Sequence, residues 1–327
     1  MVLEVPEVLV PKVLGARAEG AGLAVNLQHL RHDVDPECFM PTPPRDAFRS
    51  PRFAQPATFM RLPYRTDLEG VNVAIVGVPF DSGTSYRSGT RLGPREIRAQ
   101  SSLIRTYSHT LRVAPFERLS VIDAGDVDAA PVSLEVAHAA IEARVAEIAG
   151  VGATPLVVGG DHSISLPILR ALAREHGPLG LLQFDSHIDT WDEDFGSKLF
   201  HGSSFYYAVT EGLVDAKRFV QVAIRGPMYG RDDFAFHREH GITVIDIDEV
   251  HREGVEAVAG RVRSILGEGA VYVTFDIDAV DPAFAPGTGT PEVGGLTSHQ
   301  AQQLLRGLAG LHLVGADVVE VSPPFDG

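Results

Sequence analysis

Cysteine is almost missing from this sequence of 327 residues. Cys38 stands alone, so no internal disulfide framework and no thiolate metal cage can be built. Long apolar runs are missing too. No segment reaches the length needed to span a bilayer, and the opening residues lack a basic stretch followed by an apolar one. A soluble, cytoplasmic protein with no membrane partner is therefore expected. Positive charge is scarce: 28 Lys and Arg stand against 43 Asp and Glu, for a formal net charge of −15. Such a surface repels a phosphate backbone, which argues against nucleic acid as a partner. It suits a cationic ligand, although acidic surfaces also serve solubility alone. Aromatic residues are modest in number, but a hydrophobic fraction of 44% is enough for a large core and excludes a disordered chain.

The first stretch, residues 1–70, is irregular. It holds PTPPRDAFRSPRFAQPATFMRLPY, rich in Pro, Arg and aromatics. An arm lying over the core or over a neighbouring subunit is expected, with a disordered tail as the alternative for its first few dozen residues. Regular patterning starts at Val71 and continues through a single domain over residues 71–327. Apolar runs begin near Val71, Leu119, Thr154, Leu179, Arg218, Ile242, Ala270 and His312, and each reads as a buried strand. Between many of them lie helical patterns, over residues 133–148, 166–176 and 255–266. Thr297, with Gln300 three residues on, reads as the cap of a helix ending near Leu311. Strands alternating with helices imply a mostly parallel sheet covered on both faces, an α/β architecture. Ligands then bind beyond the carboxyl ends of the strands.

The polar clusters sit at those ends. Asp161 and His162 follow a strand in VVGGDHSIS, and Asp185, His187 and Asp189 follow another in LLQFDSHIDT. Asp276 and Asp278 follow a third in YVTFDIDAVDP, and Glu320 closes a fourth in ADVVEVSPP. Spacing of two along an extended chain points side chains the same way. Singly, each Asp reads as a turn former or helix cap and each His as hydrogen-bonded filler. Together they crowd carboxylates and imidazoles on one sheet edge, where divalent cations relieve the repulsion. Oxygen-rich sites with a minority of imidazoles suit manganese, with zinc as the open alternative. Two such ions sharing a water lower its pKa and give a hydroxide nucleophile near neutral pH. The best division of ligands makes Asp185 and Asp276 the bridges.

GGDHSIS, FDSHIDT, HGSSF and FDIDAVDPAFAPGTGTPEVGGLT resemble the signatures of the arginase/agmatinase (ureohydrolase) family, in family order, from about Phe53 to the end. The resemblance implies a three-layer α/β/α fold around an eight-stranded, mostly parallel sheet and two Mn2+ per chain. One ion would take His162, Asp185, Asp189 and Asp276, and the other Asp185, His187, Asp276 and Asp278. His201 matches the family's proton-shuttling histidine, and Glu320 the glutamate that binds the guanidinium of a small guanidino substrate. A homo-oligomer is implied, a hexamer foremost, as is a further C-terminal helix beyond PPFDG that this sequence lacks. The residues agree in kind. A carboxylate is the natural partner of a planar guanidinium, and an imidazole can protonate a departing amine. Taken alone, His201 also reads as a loop histidine bonded to backbone, and Glu320 as an ion-pairing carboxylate at a strand end.

Arginases hold their substrate's amino-acid end with a Ser-x-Asn feature. Here the loop reads DTWDEDFGSKLFHG, with Ser197 but no asparagine at that spacing, which favours the agmatinase-like branch. Asp192, Glu193 and Asp194 form an acidic run beside the ligands, which favours the ammonium of agmatine over the carboxylate of guanidinobutyrate. Lys198 offsets that run, and Arg225 beyond a strand end suits a carboxylate. Agmatine is the expected substrate, cut to putrescine and urea, with a guanidinobutyrase or related guanidino-acid hydrolase as the alternative. An arginase, a single-zinc deacetylase and a non-catalytic metal-binding protein are the remoter readings. Thr84, Ser85 and Tyr86 are expected at the mouth of the site, and Arg87 and Arg91 in salt bridges across subunits. GTSYRSGT lacks the lysine and spacing of a nucleotide-binding loop. Asp161 is expected to orient His162 or cap a helix, and Asp281 to fix its own loop. His299 and His312 are expected to be structural or on the surface.

Overall fold

In the computed structural model, which describes residues 43–326, each of the eight apolar runs forms a strand. The strands are β1 (Val73–Gly77), β2 (Val121–Asp126), β3 (Thr154–Val158), β4 (Leu179–Phe184), β5 (Val214–Ile224), β6 (Thr243–Asp246), β7 (Ala270–Asp276) and β8 (His312–Val319). Among the described residues they make one sheet in the order β2-β1-β3-β8-β7-β4-β5-β6, with every neighbour parallel. Burial on both faces explains the unbroken apolar runs: every residue of β1, β3 and β4 is buried. β5 starts at Val214, ahead of the run read from Arg218. Its first half is only half-buried and carries no apolar signature. The opening part of the expected arm, with Cys38, lies outside the described residues.

Two helical layers cover the sheet. Helices α2 (Leu134–Gly150), α3 (Ser165–His176) and α4 (Ser204–Thr210) pack on one face, through Ile141, Val145, Leu169, Leu172 and Phe205. The other face receives α6 (Ile247–Glu253), α7 (Val255–Leu266) and α8 (Ser298–Arg306). Phe59, Met60 and Leu62 join that second core, and Ile97 of α1 (Gly93–Gln100) packs against it. A short helix α5 (Ala235–His240) precedes β6. Local chemistry sets the ends. Ser133 caps α2 by accepting from the Val136 N–H, and Thr297 and Gln300 form a reciprocal capping box at α8. α8 stops at Arg306 rather than near Leu311. Leu308 and Leu311 are buried in the turn that follows, so the apolar spacing outlasts the helix. No helix among the described residues is long and apolar enough to cross a membrane.

Polar ties fix the segment after β3 to the sheet. Asp317 of β8 is buried, and its Oδ2 accepts from Tyr272 Oη and Ser165 Oγ, each at 2.6 Å. A carboxylate taken out of water must be bonded in this way. Ser165 opens α3, so the bond pins the turn just before it. Gly160 lies where two strand ends cross. Its carbonyl accepts from the Glu320 N–H at 2.9 Å, and the next N–H, of Asp161, donates to the Phe80 carbonyl at 2.9 Å. A Cβ on Gly160 would sit 1.7 Å from that same Phe80 oxygen. Gly160→Ala must therefore push the ends of β1 and β3 apart. Thermal unfolding is expected to register a loss of roughly 1–3 kcal/mol or more; an unchanged midpoint would contradict the crossing.

Candidate metal centre

Strands β3, β8, β7 and β4 are neighbours in the middle of the sheet and run parallel, so their carboxyl ends share one edge. Each end turns at once into a short, tied segment. After β3, Asp161 Oδ1 accepts from the Ser163 N–H and caps the one-turn helix His162–Ile164. After β7, Asp276 Oδ1 accepts from the Asp278 N–H and caps the one-turn helix Ile277–Ala279. After β4 the chain runs through Asp185, His187 and Asp189, and Glu320 follows β8 directly. Asp189 and Glu320 adopt left-handed backbone, with φ of 48° and 61°. Such conformations cost about 1–3 kcal/mol each in a non-glycine residue and persist where the surroundings over-determine them.

Two groups of ligand-type atoms result. Among the described residues, one group is His162, Asp185 and Asp276 and the other is Asp185, His187 and Asp278, with the atoms of each within 4.8 Å of one another. Asp185 belongs to both groups and Asp276 to one. His162 Nδ1 lies 3.1 Å from Asp185 Oδ2, 2.9 Å from Asp189 Oδ2 and 3.3 Å from Asp276 Oδ2. His187 Nδ1 lies 3.1 Å from Asp278 Oδ2 and 3.5 Å from Asp185 Oδ1.

The electrostatics show what the cluster needs. Burial lowers the pKa of both imidazoles, but the surrounding carboxylates outweigh it and hold His162 and His187 well above the usual value. Burial and the neighbouring Asp278 and Asp185 charges push Asp276 well up, and burial with the Asp185 charge raises Asp189. Asp185 goes the other way: burial raises it, yet His162 and His187 drive it below the usual range. His162 Nδ1 is the telling atom. It is buried and within ion-pair reach of three carboxylates, yet has no well-directed hydrogen bond. Its other nitrogen, Nε2, is held by Thr274 Oγ1 at 2.8 Å. A ring fixed at one nitrogen, aiming the other among carboxylate oxygens, is the arrangement of a cation ligand. The residues present thus fit a pair of divalent ions.

Beside the cluster stand the two other singled-out residues. His201 Nδ1 is 3.1 Å from Glu320 Oε1, which also accepts from the His162 N–H at 2.9 Å. His201 Nε2 is 2.8 Å from Ser85 Oγ, and the His201 N–H donates to the Gly83 carbonyl. Burial lowers the His201 pKa, but Glu320 outweighs it and the ring is raised to about 9. The loop of residues 84–86 therefore meets the site through Ser85. Thr84 Oγ1 donates back to the Asp81 carbonyl, and the Tyr86 side chain is exposed.

The expectation for Arg225 needs correction. Arg225 does not face a ligand carboxylate. Its Nε, Nη1 and Nη2 donate to the carbonyls of Val293, Ala223, Ala279, Asp278 and Glu292, which uses every guanidinium proton. It staples the segment after β7 to the end of β5. Within the chain, Arg87 donates to the carbonyls of Gly289 and Thr288, and Arg91 pairs with Asp81. Asp192 and Glu193 are exposed on a loop closed by backbone hydrogen bonds between Asp194 and Ser197, with Lys198 exposed just beyond it. Asp281 accepts from the N–H groups of Ala283, Gly294 and Gly295, and His299 and His312 are exposed. Thr274, Gln183 and Ser186 escape the sequence reading although they bond His162, Asp185 and Asp278. A signal exists for the first two: each lies two residues before a strand-end Asp, on the same side of its strand.

The profile of the Arginase family matches residues 71–327. A guanidinopropionase of Pseudomonas aeruginosa is 53% identical over 284 residues, covering 86% of this chain and 89% of that protein. A guanidinobutyrase of the same organism is 49% identical over 279 residues, covering 84% and 88%. The crystal structure of a hypothetical agmatinase from Burkholderia thailandensis matches with a TM-score of 0.79 at 45% identity, covering 84% of this chain and 86% of that one.

The His201–Glu320 pair can be tested directly. A raised histidine pKa means stabilisation that is complete below the unfolded value of 6.5 and is lost as pH rises through about 9. In metal-free protein, the His201 ring followed by NMR is expected to titrate near 9, and Glu320→Gln should bring it back toward 6.5. A midpoint that does not move in the variant would break the assignment.

Proposed function

The chain belongs to the arginase family and is a metal-dependent hydrolase of guanidino carbon–nitrogen bonds; from that premise we propose that it releases urea from a short guanidino acid, using two Mn2+ per chain. The observation that carries the reaction is the sharing of Asp185 between two adjacent ligand groups, with His201 and Glu320 alongside. In this reading His162, Asp185, Asp189 and Asp276 hold one ion, and Asp185, His187, Asp276 and Asp278 the other. An oxygen-rich donor set with two imidazoles suits manganese.

When bound, paired divalent cations neutralise the carboxylates and bring the pKa of water toward neutral. The chain's own groups do the rest. Glu320, steadied by the His162 N–H, takes the guanidinium nitrogens through charge-assisted hydrogen bonds. In the metal-free chain Glu320 raises the His201 pKa to about 9; with Nδ1 committed to Glu320, the ring presents Nε2, beside Ser85 Oγ, as the atom that passes a proton to the departing nitrogen. The bond between the guanidinium carbon and its substituted nitrogen breaks. Oxygen from water takes that place on carbon, and urea and an ω-amino acid leave.

The tail decides the substrate. The acidic residues Asp192 and Glu193 and the net charge favour the cationic agmatine. The likeness to a guanidinopropionase and a guanidinobutyrase, at 53% and 49% identity, supports an acid instead, and this reading replaces agmatine with one. Because Arg225 is consumed by backbone carbonyls, the carboxylate is met by the exposed Tyr86 hydroxyl on the loop that carries Ser85. Urea release by the manganese-loaded protein should show the highest kcat/KM with 3-guanidinopropionate or 4-guanidinobutyrate, a lower one with agmatine and the lowest with arginine. Chelation should abolish all four rates, and metal analysis should return close to two Mn per chain. A preference for agmatine would overturn the acid assignment and leave the reaction class standing.

A further inference from the structure

Two glutamines interrupt an otherwise apolar part of the sheet. Gln183 of β4 and Gln221 of β5 are fully buried and are register partners on adjacent strands. An amide taken out of water has to be bonded, and these two are bonded in a line. His237 of α5, also buried, places Nε2 2.7 Å from Gln221 Oε1. Gln221 Nε2 donates to Gln183 Oε1 at 2.7 Å and to the Ile188 carbonyl at 2.6 Å. Gln183 Nε2 donates to Asp185 Oδ2 at 2.7 Å and to the His187 carbonyl at 3.3 Å.

The direction of this line follows from its ends. Carbonyl oxygens and a carboxylate only accept, so both amide nitrogens must face residues 185–188. Gln221 Oε1 then faces His237, and His237 must carry its proton on Nε2. The other nitrogen, Nδ1, is buried without a partner, as that neutral tautomer allows. Burial, with the neighbouring Arg238 charge, brings the His237 pKa down to about 4, so the ring stays neutral at ordinary pH. Every donor in the line therefore points toward Asp185, and bonds aligned in this way polarise one another.

We propose that His237, Gln221 and Gln183 form a positioning relay that aims the Asp185 carboxylate at both metal positions and so sets how tightly the metal pair is held. The proposal rests on the reading of Asp185 as the shared ligand. Asp185 belongs to both groups of ligand-type atoms, so a swing of its carboxylate disturbs both positions. Gln183 and Gln221 also bind the carbonyls of His187 and Ile188, which places the His187 ring from behind. All three are positioning residues: none is itself in a ligand group.

The test uses the full-length chain and manganese alone, titrated with electron paramagnetic resonance reading both affinity and the exchange coupling of the pair. Gln221→Met keeps the volume and breaks the line. It is expected to weaken manganese binding roughly 10–100-fold and to alter the coupled spectrum. If that variant does not fold, His237→Leu and His237→Gln decide. The leucine removes the remote donor and should weaken binding, whereas the glutamine supplies another N–H to Gln221 Oε1 and should restore it. Glutamines that merely fill space would shift the melting temperature and leave affinity and spectrum alone. Wild-type affinity and coupling in Gln221→Met, or equal losses in the two His237 variants, overturn the relay while the metal pair stands. A wild-type chain that shows no coupled pair rejects the metal reading and the relay with it.

Discussion

Repulsion between buried carboxylates is the constraint on which the rest of this structure depends. Asp185, Asp189, Asp276 and Asp278 are all buried at one edge of the sheet. Two like charges 4 Å apart repel by about 4 kcal/mol at an effective dielectric near 20, a large part of the roughly 5–15 kcal/mol that stabilises an ordinary domain. The cluster answers by splitting its ionisation. Asp185 is held ionised by two imidazoles, while Asp276 and Asp189 are driven toward the neutral acid. Divalent cations would remove the same strain without protons, so a cluster costly in isolation suits a pair of such ions.

The scaffold is arranged to bear that strain. Parallel pairing delivers β3, β8, β7 and β4 to one edge, each strand bonded to a neighbour on both sides. The ends are then tied down individually. Asp161 and Asp276 cap one-turn helices, Arg225 gathers five carbonyls, and Glu320 is bonded through its own N–H to Gly160. The left-handed backbone at Asp189 and Glu320 is tolerated because these ties leave the chain no easier course. A rigid edge of this kind lets His201 and Glu320 hold a fixed relation to the metal-type ligands.

Much of this was legible from the chain alone, for a local reason. A strand buried on both faces must be apolar throughout, and residues two apart at its end must point together, so both the strands and the clusters at Asp185 and Asp276 leave a one-dimensional trace. The half-buried start of β5 leaves none, and the buried leucines after α8 leave a false one. Side-chain charge was legible as well, but its direction was not. The run Asp192, Glu193 and Asp194 looks like a cation trap in sequence, yet in the fold Asp192 and Glu193 are exposed to water, which screens their field.

The sequence by itself determined the α/β architecture, the family motifs and the ligand types, because burial pattern and residue chemistry are properties of short segments. Tertiary structure decided the use of the remaining polar groups. Arg225 reads as a free cation beyond a strand until segments more than fifty residues away surround it with carbonyls. Gln183 and Gln221 read as flaws in apolar strands until β4 and β5 pair in register and α5 brings His237 against them. A hydrogen bond depends on the direction and distance of two particular atoms, and only the folded chain fixes either when the partners are far apart in sequence.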